Sequence, residues 1–227
     1  MDRSFQLFRS ENKLADILQI NPQLILILSR FNIGLGFGEK SISEICQEYK
    51  IQTKLFLILC NVYTFDYYYP EKNDIKQIDG IGLVNYLKES HKYYLEKRLI
   101  HIGKHIEKIA IECGNIGKSL NSFFCEYVKE VKIHFEFEEK NVYPIILNNS
   151  VTKDNILQFR DKHTSIEDKL NDLTNIIIKY LPEDILPDER ISVWFDITQV
   201  YNDITKHDII EEKILLPFIQ NLTLCKQ

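Results

Sequence analysis

From Ile81 onward, apolar positions recur at helical spacing in four long stretches separated by breaks. The first runs from about 81 to 112, carries Leu83, Leu87, Tyr94 and Leu95 on one face, and stops at Gly114. The second spans about 117 to 148 and ends in Asn148-Asn149-Ser150. The third spans about 153 to 180 and ends at Leu181-Pro182, and the fourth runs from near Pro187 to about Leu222. Long amphipathic helices with short connections must be antiparallel neighbours, so the pattern predicts an up-down-up-down four-helix bundle. Alternating strand periodicity is almost absent, and the fold class expected is all-α.

The region before Ile81 is patterned differently. Leu14-Ala15-Asp16-Ile17-Leu18 begins a short helix. Asn21-Pro22 has the form of an N-cap with proline at the first helical position, opening a helix through Leu24, Ile27 and Phe31. Gly34, Gly36 and Gly38 break the chain, and Ser41-Ile42-Ser43-Glu44 has the form of a capping box. A further helix runs from about Thr53 to Phe65. Asp66 to Gly80 is polar, carries Pro70 and has no sustained apolar period. The domains expected are a small helical N-terminal one over 1–66, a linker over 67–80, and a bundle over 81–227.

Composition narrows the class. Hydrophobic residues make up 44% of the 227, enough for a real core, and the net charge of −5 with no Lys/Arg block argues against a nucleic-acid or anionic-membrane partner. Met1 to Lys13 is polar and lacks the apolar stretch of a secretory signal, and runs such as Leu24–Leu28 and Leu55–Cys60 are far too short to span a bilayer. Cys46, Cys60, Cys113, Cys125 and Cys225 are odd in number and scattered, as expected of reduced thiols in a cytoplasmic protein rather than zinc ligands.

One phrase occurs twice. Residues 134–146 and 207–219 share the frame H-x3-E-E-K-x3-P-x-I. Positions i and i+4 of a helix lie on one face, so His134 stands over Glu138 and His207 over Glu211, each pair offering an imidazole nitrogen and a carboxylate to one point. His91 and His163 lie about ten residues into the first and third helices, and both pairs lie at a similar depth from the ends of the second and fourth. At about 1.5 Å rise per residue, these depths coincide in an antiparallel bundle.

Four imidazoles and two carboxylates exceed the needs of one tetrahedral zinc. Nitrogen and oxygen donors without thiolate suit iron or manganese, and two divalent ions bridged by Glu138 and Glu211 would use all six. His105 is fourteen residues beyond His91, about 21 Å along the axis, and His101 and His105 are expected at the surface or partly buried. Glu139 and Glu212 are expected beside the ligands or facing solvent. Tyr94, one turn beyond His91, is either a hydrogen-bond donor into the site or an aromatic core residue.

The set His91, His134-x3-Glu138, His163, His207-x3-Glu211 resembles the hemerythrin-like HHE domain, and more closely the di-iron proteins of the repair-of-iron-centres family. Leu14-Ala15-Asp16-Ile17, Asn21-Pro22 and Phe31-Asn32-Ile33 are similar to that family's small N-terminal domain. The resemblance implies two non-haem iron ions with oxo or hydroxo and carboxylate bridges, held by those six residues. One departure stands out. The family's Cys-Cys-Gly-Gly segment corresponds here to Gly34-Leu35-Gly36-Phe37-Gly38, and any chemistry that depends on the thiol pair is in doubt.

The resemblance implies a role in oxidative and nitrosative stress defence, repairing damaged iron–sulfur clusters by supplying iron, with iron–sulfur proteins as partners. Alternatives are a di-iron oxygen or nitric oxide sensor signalling through its N-terminal domain, and a di-iron enzyme reducing nitric oxide or peroxide. A homodimer is compatible with the sequence, which leaves the oligomeric state open.

Overall fold

A computed structural model of the chain describes residues 6–148 and 164–224. Among these the fold is all-helical, with an isolated bridge between Lys13 and Ser41 as the extended pairing. The described residues pack as two compact units, one within residues 6–89 and 209–224 and the other within residues 90–148 and 164–208.

The first unit begins with four short helices: α1 (Leu14–Ile20), α2 (Ile25–Arg30), α3 (Ile42–Glu48) and α4 (Thr53–Thr64). Asn21 caps as its sequence suggests, its side chain accepting from the Gln23 amide, but proline opens a single 3-10 turn (Pro22–Leu24) before α2. The capping box at Ser41 and Glu44 forms in full. Gly36 and Gly38 adopt φ of 98° and 63°, which explains glycine there. The segment read as linker carries α5 (Lys72–Lys76) and buries Ile75 and Ile78, and α12 (Leu216–Leu224) packs against α5. Buried Arg30 is held by hydrogen bonds to the Tyr63 and Tyr86 hydroxyls, the latter at 3.0 Å.

The second unit is the bundle. Its helices are the end of α6 (Gly80–Tyr93) with α7 (Leu99–Glu112), then α8 (Gly114–Phe137) with α9 (Tyr143–Leu147), α10 (Thr164–Lys179), and α11 (Pro187–Ile210). Each buries one stripe at three- and four-residue steps: Leu99, Ile102, Ile106 and Ile109 on α7; Leu120, Phe124, Tyr127 and Val131 on α8; Ile166, Leu170, Leu173 and Ile177 on α10; Val193, Ile197, Val200 and Ile204 on α11. Burying each such aliphatic side chain contributes about 1.5–3 kcal/mol. Only Cys113 separates α7 from α8, and Gly114 at φ +58° reverses the chain. Gly117 lets the two helices touch, since a Cβ there would stand 2.5 Å from the Ala110 carbonyl oxygen. At the α10–α11 corner, Arg190 donates to the Ile177 and Pro182 carbonyls, satisfying groups the ending helix leaves open.

Three π-helical turns interrupt these helices, at Tyr94–Arg98, Glu138–Val142 and Glu211–Leu215. The last two share a cause in the repeated phrase. Pro144 and Pro217 have no N–H to give the carbonyls of Lys140 and Lys213, four residues back, and their rings would collide with them. The helix widens over that turn and then resumes. No proline follows the first π turn closely, and nothing in the structure explains it.

Candidate metal centre

The ligand-type residues extend the apolar stripes. On α8 the series Leu120, Phe124, Tyr127, Val131 continues three residues on to His134 and four more to Glu138. On α11 the series Val193, Ile197, Val200, Ile204 continues by the same steps to His207 and Glu211. The periodicity that builds the core thus carries polar groups inward. Glu138 and Glu211 are fully buried, His91 and His207 nearly so, and His134 is buried with 6% of its surface exposed.

Four of these residues, His91, Glu138, His207 and Glu211, bring one ligand atom each within 4.8 Å of one another. The Nε2 of His91 lies 3.3 Å from Nε2 of His207 and 3.2 Å from Oε2 of Glu138. Nε2 of His134 lies 2.8 Å from the other Glu138 oxygen. His163, the remaining expected ligand, lies outside the described residues.

The donor set can be tested against a metal ion. Two ligand atoms on one ion at bonds of about 2.1 Å stand roughly 3.0–3.4 Å apart, the edge of an octahedron or a tetrahedron. The separations around His91 match that edge. A neutral imidazole's lone pair facing a carboxylate at 3.2 Å is repulsive, and either a proton on the nitrogen or a metal cation between the two relieves it. Two carboxylates at zero exposure are costly unless neutralised. The group therefore fits a hard-to-borderline divalent ion bound through nitrogen and oxygen.

Surrounding contacts aim the donors. Nδ1 of His91 donates to Oε1 of Glu139 at 2.9 Å, which turns Nε2 toward Glu138 as a lone-pair donor. Phe135 stacks flat on the His91 ring, with centroids 3.9 Å apart at 8°. Glu139 thus orients His91, whereas Glu212 is more than half exposed. Tyr94 is fully buried, its ring 5.8 Å from Phe135 and 6.0 Å edge-on to His207.

A tyrosine that sequence reasoning passed over reaches the site. The Tyr143 hydroxyl lies 3.1 Å from Nε2 of His91. In a regular α-helix, position 143 would sit about 140° from Glu138 around the axis. Here the Tyr143 amide bonds the Glu138 carbonyl across five residues, and the wider turn brings it round. Pro144, which forces that turn, was the available signal.

No helix among the described residues is long and apolar enough to cross a membrane. No curated protein and no solved structure matches the chain. A family model does match, the hemerythrin HHE cation-binding domain, over residues 82–219. That span covers more than half of the chain and contains both copies of the phrase and the His/Glu group: the protein belongs to the hemerythrin HHE cation-binding domain family.

Proposed function

We propose that this chain is a non-haem di-iron protein, its two ions held by His91, His134, Glu138, His163, His207 and Glu211, and that it serves oxidative and nitrosative stress defence by supplying iron to damaged iron–sulfur clusters. The observation that carries the reading is the buried group His91, Glu138, His207 and Glu211, built without any thiolate inside a cation-binding domain. Nitrogen and oxygen donors hold iron less tenaciously than sulfur ligands would, which suits an ion that is to be passed on. When bound, such iron supplies Lewis-acid and redox chemistry. The chain's own residues bury the ligands, orient His91 through Glu139, and exclude bulk water.

The test mixes iron-loaded protein with an apo iron–sulfur protein, cysteine and sulfide. Donation predicts faster recovery of the cluster spectrum than an equal amount of free iron gives. Recovery no faster than free iron contradicts it.

A second reading draws on the N-terminal region. Gly34 to Gly38 replaces the thiol pair, and Cys46 is fully buried, its thiol pushed up to about 11 by burial, so it is a poor nucleophile. This favours a centre that binds oxygen or nitric oxide and signals through the N-terminal helices. A reversible ligand-dependent visible spectrum without iron transfer would select it.

A further inference from the structure

A second cluster of metal-type donors stands on the bundle, ten to fourteen residues beyond His91 and so about 15–21 Å along the helix. We propose that His101, His105 and Asp196 form a separate, solvent-facing site for a divalent transition-metal ion of the zinc class, with water completing its shell. The proposal is independent of the di-iron reading.

His101 and His105 are four residues apart on α7, so both imidazoles leave the same face, and Asp196 comes from α11. One ligand atom of each lies within 4.8 Å of the others. Nε2 of His105 is 3.2 Å from Nε2 of His101, and Oδ2 of Asp196 is also 3.2 Å from Nε2 of His101. Ligands on a tetrahedral zinc with bonds of about 2.0–2.1 Å stand roughly 3.3 Å apart. Both measured edges are therefore close to those of a zinc tetrahedron with one corner left for water.

Each donor but one is held by a neighbour. Nδ1 of His105 donates to Glu189 at 2.7 Å, leaving Nε2 as the lone-pair nitrogen. Glu189 also accepts from Lys108 at 2.9 Å, and these two hydrogen bonds, that of Lys108 first, hold its carboxyl below the usual range. Oδ1 of Asp196 is taken by Arg98 at 2.9 Å, which directs Oδ2 toward the imidazoles. His101 is half exposed, giving an ion a path from solvent. The two cations and two carboxylates cancel, so attraction comes from ligation geometry rather than from an acidic surface. Without a metal, the same residues amount to an ion-pair network joining α7 to α11.

Zinc binding to the full-length chain, followed by equilibrium dialysis and elemental analysis, separates the two. The His101→Ala/His105→Ala variant is expected to bind one zinc fewer per chain than the unaltered protein. Glu189→Gln should weaken that equivalent by about 10-fold while leaving all three donors in place. Zinc should also protect His101 of the unaltered protein from carbethoxylation, mapped by mass spectrometry, a readout that needs no variant. Equal zinc content in the double variant, or His101 modified as fast at saturating zinc as without it, overturns the proposal.

Discussion

His91 and Glu139 meet through a single hydrogen bond, Nδ1 to Oε1 at 2.9 Å, that decides which nitrogen of the imidazole faces the buried carboxylates. The link lies between the end of α6 and the π turn after α8, and it makes Glu139 an orienting group for His91. Glu139→Gln is expected to lower iron affinity about 10- to 100-fold, measured by competition with a chelator. Glu212→Gln, at the matching position of the second copy, should change it little, because that side chain is largely in solvent.

Tyr143→Phe removes the hydroxyl beside Nε2 of His91 and nothing else. Loss of one buried hydrogen bond should lower stability of the metal-free protein by about 1 kcal/mol in urea unfolding. The helical circular dichroism should stay the same, since the π turn depends on Pro144. A variant as stable as the parent would show that the hydroxyl contributes nothing before metal arrives.

Much of this was legible in the sequence. The repeated phrase and the apolar stripes lead directly to buried His and Glu at one level, because the spacing that fills a bundle core also aims whatever occupies the next positions inward. Where reasoning from a fixed 3.6-residue period fails is at the π turns. On that period Tyr143 would stand more than a third of a turn from Glu138, and the proline-driven widening brings it to His91. The pairing of His101 and His105 with Asp196 was hidden for another reason. It depends on the register between α7 and α11, which no local pattern encodes.

Burial sets the order in which the thiols react. Cys46 and Cys60 are fully buried, and burial pushes the first up to about 11 and the second well above its ordinary value. Cys125 is exposed. An aromatic disulfide reagent at neutral pH should modify Cys125 promptly and leave Cys46 and Cys60 until the protein unfolds. Only the thiolate reacts, so the Cys46 rate should climb about tenfold per pH unit until pH approaches its pKa. Prompt labelling of Cys46 at neutral pH would revive a thiol role for the N-terminal helices.

The core should tolerate loss less well than the surface. Leu173 is fully buried among the stripes of the bundle, and Leu173→Ala is expected to cost about 2–5 kcal/mol in urea unfolding. Ile178 on the same helix is more than half exposed, and Ile178→Ala should cost well under about 1 kcal/mol.

The most direct test is the iron content of protein purified without oxygen, compared with Glu138→Gln, which keeps the size of the side chain and removes its charge. The account predicts about two iron ions per chain in the parent, as carboxylate-bridged bundle sites hold, and loss of most of that iron in the variant. An iron-free parent reconstituted to no stoichiometric content, or a variant that holds iron as fully and as tightly as the parent, would contradict it.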